Sequence, residues 1–206
     1  MNSAAANAER QTMKELLQES FYWLDLAIGF SVPITLYALF RADRVTQYIW
    51  RLFWVGVCLG LTWEVPIFVL SVEKTSVPII TFVRELPVHY VIFLISHSLW
   101  DGGLFLIGVF LIHQLCDSPV LTGFRTQELM VLLIWGQVSA LAVEIGSILN
   151  SGWVYITAYP WNPVLFELNG HGITLLPQLI WLAAPIVFYF ISIEIRRGDL
   201  NRLVRS

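Results

Sequence analysis

The sequence predicts an all-α polytopic membrane protein, a bundle of five transmembrane helices with a polar cavity inside it. Hydrophobic residues make up 57% of the 206 residues and charged residues only 13%, against about 25% charged in a typical soluble domain. The mean hydropathy is +0.69. The apolar residues also fall into five runs, each near the roughly 20 residues that a helix needs to cross a bilayer.

These runs define the domain organisation. Residues 1–21 form an amphipathic lead-in that lacks the apolar core of a signal peptide, so we expect it to be retained. The transmembrane domain covers 22–195, and a basic tail follows at 196–206. No separate soluble domain is predicted. The five predicted spans are Tyr22–Phe40, Ile49–Ser71, Val88–His113, Leu129–Asn150 and Gly172–Ile195.

Basic residues predict the orientation, because Lys and Arg accumulate on the cytoplasmic side of a membrane protein. Five spans place the two termini on opposite sides. With the C-terminus inside, that side carries eight Lys and Arg and the other side four. We therefore expect an extracytoplasmic N-terminus and a cytoplasmic C-terminus. The eight are Arg41, Arg44, Arg51, Arg125, Arg196, Arg197, Arg202 and Arg205, and the four are Arg10, Lys14, Lys74 and Arg84.

Charge and cysteine content exclude two other classes of protein. The formal net charge is -3, which leaves no basic surface to bind nucleic acid. The two cysteines, Cys58 and Cys116, lie in an apolar run and in a short polar connection, so neither predicts a disulfide scaffold or a cysteine metal site. The expected partners are the lipid bilayer and a hydrophobic small molecule. The sequence allows a homodimer without requiring one.

Ionisable residues inside a span cost several kcal/mol and are by default functional candidates, and the predicted spans hold four strong cases. At 1.5 Å per residue, all four fall between the midplane and the outer leaflet, about 20 to 24 Å from the inner ends or 9 to 20 Å from the outer ends of their helices. A single polar cavity on the outer side explains this common depth. The four are Glu64, His97, Asp101 and Glu144, joined by the neutral Gln137 and Gln178.

Helical spacing predicts that these side chains face the bundle interior. Gly56, Gly60 and Glu64 recur at every fourth position, on a face where small residues let helices approach closely. His97 and Asp101 are four residues apart, so we expect them to hydrogen-bond, with the carboxylate orienting the imidazole. Glu64 and the pair of His97 and Asp101 also have a purely structural interpretation, as contacts that lock neighbouring helices together.

Several further residues are predicted to complete the binding site. Gln137 aligns with Glu144 on one face of span four, and Gln178 aligns with Trp181 on one face of span five. His171, in a Gly-His-Gly turn, either caps the cavity or merely ends the loop. The aromatic segment 153–161 is predicted to form a lid over the outer mouth. The predicted substrate-binding residues are Trp63, Trp100, Gln137, Gln178, Trp181, Asn150 and His171.

A metal centre is the minor alternative, because carboxylate and imidazole groups can supply ligands. A di-iron bundle would need Glu-x-x-His pairs on two helices, and the sequence has none. We therefore expect neither a metal ion nor a cofactor.

Buried carboxyl groups beside indoles are suited to carbocation chemistry. A carboxylic acid kept protonated by desolvation can protonate an alkene. Tryptophan faces then stabilise the cation, and a second carboxylate removes a proton from another carbon. The same groups could instead bind a lipophilic ligand without turnover.

Short motifs resemble a known family. The five-span plan, the acid Glu64 in span two, Gly136-Gln137 in span four and Gln178-Leu-Ile-Trp181-Leu-Ala-Ala-Pro185 in span five resemble the emopamil-binding protein family of the EXPERA superfamily. Gly60 stands where that family has a histidine. The resemblance implies a sterol isomerase or a sterol-binding relative. Trp63-Glu64 and Asp101-Gly102 more weakly resemble the small integral-membrane terpene cyclases, which protonate an isoprenoid alkene or epoxide.

The sequence thus predicts a membrane isomerase or terpene cyclase that acts on an isoprenoid or steroid-like substrate by acid-base catalysis. Glu64 and Asp101 are the predicted proton donor and acceptor in either order, His97 orients or relays for Asp101, and Glu144 completes the predicted catalytic set. The alternative is a non-catalytic sterol- or lipid-binding protein, or a small transporter, that uses the same cavity.

Overall fold

The computed structural model describes residues 2–72 and 77–205, with side chains for 15–72 and 77–199. The side chains of Arg10, Lys14, Lys74, Arg202 and Arg205, which entered the predicted orientation, lie outside the described residues, as does much of the lead-in and the tail. The elements in chain order are α1 (Asn2–Arg41), α2 (Gln47–Val72), β1 (Ile80–Phe82), α3 (Tyr90–Leu115), α4 (Thr126–Leu149), β2 (Trp153–Tyr155), β3 (Val164–Leu168), β4 (His171–Thr174) and α5 (Leu175–Arg205).

The predicted five-helix membrane fold is confirmed. Each helix contains a segment that is long and apolar enough to cross a bilayer, so the chain is an integral multi-pass membrane protein. Large apolar side chains lie exposed on the outside of the bundle, as lipid-facing surfaces require; Ile34 on α1, Phe110 on α3 and Ile134 on α4 are examples.

The predicted span ends do not coincide with the helix ends, and two of the differences have a clear structural cause. No helix boundary lies at Tyr22, because α1 runs on without a break from the lead-in. The fifth helix begins at Leu175 rather than Gly172, because residues 171–174 form strand β4 and pair with β3. Pairing between strands decides this boundary, and the hydropathy of a single segment does not report it.

Glycines set the close packing of α2 on α3, as the small-residue face predicts. A Cβ added to Gly56 would lie 2.9 Å from Gly102 Cα, and one added to Gly60 would lie 2.9 Å from Asp101 Cβ. Real Cβ atoms essentially never approach other atoms this closely, so α2 and α3 meet at these positions only because a side chain is missing.

Two short antiparallel sheets, which the sequence did not predict, lie in the connections on one side of the bundle. Strand β1, between α2 and α3, pairs with β2, between α4 and α5, in the register Ile80 to Tyr155 and Phe82 to Trp153. Strands β3 and β4 form a hairpin. Ser147 at the end of α4 holds β2 in place: its Oγ lies 2.6 Å from both the backbone N and the backbone O of Trp153. We call β1 and β2 together the lid.

Candidate functional site

A cavity of about 210 Å³ lies under the lid, lined by residues from all five helices, β1 and β2. Its apolar lining includes Ile67, Leu104 and Val143. Five ionisable side chains reach it, namely Asp25, Glu64, His97, Asp101 and Glu144. Its aromatic lining is Phe21, Trp63, Phe68, Trp100, Trp153, Tyr155 and Trp181. Within the described side chains, neither Lys nor Arg lines the cavity, so acidic groups dominate its electrostatics.

The structure brings most of the predicted site residues together. All four predicted catalytic residues line the cavity, as do Trp63, Trp100 and Trp181. The common depth inferred from helix positions therefore corresponds to one shared cavity. Trp153 also lines it, in agreement with the predicted lid over residues 153–161, although strand β2 covers only its first three residues.

Four of the seven predicted substrate-binding residues are not among those that line the cavity, namely Gln137, Asn150, His171 and Gln178. Gln137 Nε2 donates to the backbone carbonyl of Gln178 at 3.0 Å and so joins α4 to α5. Asn150 caps the end of α4, where its Nδ2 donates to the carbonyl of Gly146 at 2.8 Å. His171 is exposed on β4, so the interpretation as a loop residue fits it better than that of a cavity cap. Gln178 borders the cavity between Pro177 and Trp181, which line it.

His97 pairs with residues other than the predicted one. Its Nε2 lies 2.9 Å from Asp25 Oδ2, and its Nδ1 lies 3.4 Å from Glu64 Oε2. The predicted hydrogen bond to Asp101 is therefore wrong, since carboxylates from α1 and α2 occupy both ring nitrogens. The positions four residues apart on α3 do share a face, but the packed helices offer His97 closer partners. Glu64, His97 and Asp25 form a row that we call the carboxylate–imidazole row.

Asp25 is the functional candidate that sequence reasoning missed. Its backbone carbonyl accepts hydrogen bonds from Trp100 Nε1 at 3.0 Å and from Ser96 Oγ at 3.5 Å, so α3 holds α1 at this residue. The sequence carried a signal for it, namely an ionisable residue inside predicted span one. Asp25 lies only three positions after the predicted start of that span at Tyr22. Proximity to the end of a span makes such a residue look interfacial until the tertiary structure places it in the interior.

The imidazole of His97 is also fixed by aromatic neighbours. Its ring centroid lies 5.2 Å from that of Phe68 in an edge-to-face arrangement and 4.9 Å from that of Trp153 on the lid. These contacts, with the two carboxylates, leave the ring a single orientation. A histidine held between two carboxylates can accept a proton at one nitrogen while the other donates to the opposite partner.

Asp101 occupies a different environment from Glu64. It is 6% exposed and its Oδ2 has no hydrogen-bond partner among the described residues. The carboxyl packs against the Cα of Gly60, where a methyl group would overlap it, and the indole of Trp63 lies close to it. The cavity thus holds one carboxyl group that is paired with histidine and one that has no such pairing.

Glu144 connects α4 to the beginning of α5. It is 3% exposed, and its Oε1 accepts from the backbone N of Thr174 at 2.9 Å and from Thr174 Oγ1 at 3.1 Å. Its Oε2 and the nearby Gln178 Nε2 are buried without a hydrogen-bond partner in the described structure. One carboxyl oxygen of Glu144 is therefore held by Thr174, and the other has no hydrogen-bond partner in the described structure.

Tyr155, on the lid, is close enough to all three predicted catalytic carboxyl groups for their charges to act on its phenol. Burial raises the pKa of its phenol well above the usual range, and the charges of Glu64, Glu144 and Asp101 act in the same direction. The hydroxyl is thus a neutral donor and acceptor at physiological pH.

The described residues contain no group of three or more His, Cys, Asp or Glu side chains arranged to hold a metal ion.

Comparisons of the chain with protein-family models, with curated proteins and with solved structures found no match.

Proposed function

We propose that this protein is a membrane-embedded isomerase or cyclase that transfers protons to and from a hydrophobic isoprenoid or steroid-like alkene. The observation that carries the proposal is the cavity itself, which the carboxylate–imidazole row, Asp101 without a histidine partner and four indoles line together. The resemblance to the EXPERA superfamily and to membrane terpene cyclases points to the same chemistry.

The two kinds of carboxyl group divide the proton-transfer roles. Asp101, whose Oδ2 is unpartnered, is the proposed acid. Its O–H bond breaks, a C–H bond forms at one alkene carbon, and a carbocation remains on the neighbouring carbon. Glu64 is the proposed base: it takes a proton from an adjacent carbon, and the freed electron pair forms the new double bond. The substrate gains one proton and loses one, and the enzyme is reset when Glu64 releases its proton to water and Asp101 takes one up after the product leaves, so no oxidant or reductant is consumed.

The carboxylate–imidazole row supports the base. A proton that reaches Glu64 can move to His97 Nδ1 while Nε2 releases one to Asp25, since each carboxylate lies beside one ring nitrogen. Asp25 is thus a positioning residue for His97.

The indoles are placed to stabilise the cation. Trp181 stacks on Phe105 with ring centroids 5.2 Å apart, and its centroid lies 6.0 Å from that of Trp63. This packing holds one face of the cavity rigidly aromatic. A desolvated cation over an indole gains about 2 kcal/mol, and the apolar remainder of the lining excludes the water that would capture it.

Deuterium exchange tests the proposal directly. Purified protein in nanodiscs is incubated in D2O with a ring-unsaturated sterol, a polyprenyl alkene and a prenyl epoxide, and carbon-bound deuterium is measured by mass spectrometry. We expect incorporation with at least one probe, reduced at least a hundredfold by Asp101→Asn and by Glu64→Gln, since general acid-base catalysis contributes about 10²–10⁴-fold. The matched control, Glu167→Gln, changes an exposed carboxylate on β3 and should keep full activity.

The contrary result is equally clear. If wild-type protein binds these probes but incorporates no deuterium into any of them, the cavity belongs to a non-catalytic lipid-binding protein and the acid-base proposal is refuted.

We also propose that the N-terminus is extracytoplasmic, on the basis of the eight-to-four distribution of basic residues. An impermeant maleimide applied to intact cells should label Thr157→Cys, in the connection between α4 and α5. It should label Asp117→Cys, between α3 and α4, only after permeabilisation. Both positions are exposed, and the reverse labelling pattern would contradict the orientation.

A further inference from the structure

Two unsatisfied polar atoms lie close together beside the cavity, which Glu144 lines. Glu144 Oε2 is a buried carboxyl oxygen without a hydrogen-bond partner, and Gln178 Nε2 is a buried amide nitrogen in the same state. The two side chains are close neighbours, yet no hydrogen bond of normal geometry joins them. Thr174 holds the other oxygen of Glu144 through two hydrogen bonds, so Oε2 cannot turn away to find another partner without breaking them.

Leaving such atoms unpaired is costly. A buried donor or acceptor without a partner has lost its hydrogen bonds to water and gained none in return, and the loss is greater when the group is charged. Buried polar side chains in proteins almost always have partners, from protein or from a bound molecule. Glu144 lines the cavity and is 97% buried, as its exposed fraction of 3% shows, so a molecule bound there is the natural partner.

The chemistry of the two atoms identifies the missing group. Gln178 Nε2 is a donor and a carboxylate oxygen is an acceptor, whereas a hydroxyl group both donates one hydrogen and accepts others. From Glu144 and Gln178 we infer a subsite for the hydroxyl group of a lipophilic alcohol. The inference rests on the proposed function insofar as it makes the substrate an alkene that also carries an alcohol.

This subsite would also orient the substrate. Glu144 lies on α4 and Gln178 on α5, whereas Asp101 and Glu64 lie on α3 and α2. A hydroxyl bound between α4 and α5 anchors one end of the molecule and leaves its hydrocarbon part to extend toward the acids. Such positioning is what turns a merely greasy pocket into one that presents a chosen carbon to the proton donor.

Paired probes test the subsite. Farnesol and its methyl ether, and cholesterol and its methyl ether, differ only in the hydroxyl hydrogen and one methyl group. Binding to the full chain in nanodiscs is measured by quenching of tryptophan fluorescence. We expect the wild-type protein to bind at least one alcohol about tenfold more tightly than its ether, because a factor of ten corresponds to about 1.4 kcal/mol, the size of a single hydrogen bond.

Two variants locate the preference. Gln178→Met removes the donor at nearly constant volume and should weaken alcohol binding severalfold. Glu144→Gln keeps the oxygen that Thr174 binds but replaces the free acceptor with a donor, so the preference for alcohol over ether should disappear. Gln127→Met is the matched control, because Gln127 lies exposed on α4 and its Nε2 donates to the backbone carbonyl of Leu115 at 3.1 Å, away from the cavity.

The outcomes separate this inference from the proposed function. If no alcohol binds more tightly than its ether, if Glu144→Gln leaves the preference intact, or if Gln178→Met leaves alcohol binding unchanged, the hydroxyl subsite is overturned and a water molecule or a direct contact satisfies the two atoms. Suppose instead that wild type and Gln127→Met prefer the alcohol, that Glu144→Gln does not, and that no probe incorporates deuterium. The subsite then stands and the acid-base function fails. Deuterium incorporation without an alcohol preference overturns the subsite and leaves the acid-base function standing.

Discussion

Gly60→Ala tests the contact on which the placement of Asp101 depends. The added methyl carbon would lie 2.9 Å from Asp101 Cβ and 3.1 Å from Cγ, and closer still to Oδ2, whereas ordinary contacts begin at 3.4 Å. Because Cβ belongs to the rigid part of the side chain, a rotamer change cannot relieve the overlap. Helix α3 must therefore move away from α2 by about half an ångström at this point, which is overpacking of a tight interface.

The magnitude follows from two opposing effects. Overpacking costs about 1–3 kcal/mol, and the upper part of that range applies because the obstacle is a backbone-linked atom. Replacing a helical glycine with alanine returns up to about 1 kcal/mol. The expected net loss of unfolding free energy is thus about 1–2 kcal/mol.

Gly146→Ala provides the matched control. Gly146 is also helical and lines the same cavity, but a Cβ there would meet nothing within 4 Å. This variant should be as stable as wild type, or more stable by up to about 1 kcal/mol. Unfolding by SDS in mixed micelles, monitored by circular dichroism, gives the two free energies. If Gly60→Ala proves as stable as Gly146→Ala, the close approach of α2 and α3 at Asp101 is refuted.

Two further predictions concern the lid. Ser147→Ala should lower the unfolding free energy by about 1–3 kcal/mol in the same titration, because it removes the hydroxyl that contacts both backbone polar atoms of Trp153. The control is Ser20→Ala, which should cost far less because the exposed hydroxyl bonds only to its own helix. Equal losses would contradict the proposed anchoring of β2. Tyr155→Phe should leave the pH dependence of deuterium exchange unchanged between roughly pH 6 and 9, since burial raises the pKa of the phenol and keeps it neutral throughout that interval; a titration step that vanishes in this variant would show that Tyr155 ionises there.

The layer of ionisable residues shows how far sequence reasoning reaches into the site. Glu64, His97, Asp101 and Glu144 could be assigned to one depth because helical rise is constant and the ends of apolar runs mark the membrane boundaries. The structure places all four around one cavity. Depth along a helix is thus a local quantity that spacing in the sequence can supply.

The partners of each side chain required the tertiary structure. The four-residue spacing on α3 pointed to His97 and Asp101 as a pair, yet His97 lies between Asp25 and Glu64. Which neighbour wins depends on the rotation and separation of α1, α2 and α3, and these depend on contacts such as Gly60 against Asp101. Gln137 and Asn150 were likewise predicted to bind substrate, but each donates its amide hydrogen to a backbone carbonyl.

The amino-acid sequence by itself determined that this protein lives in a membrane, crosses it with five helices and carries its acids at one level, because hydropathy and helical rise act within single segments. Only the tertiary structure decided that Asp25 completes the carboxylate–imidazole row, that Asp101 is left without a histidine partner, and that loops distant in the chain pair as a lid. These features are contacts between segments, and their geometry arises from how five helices pack together, which no single helix specifies.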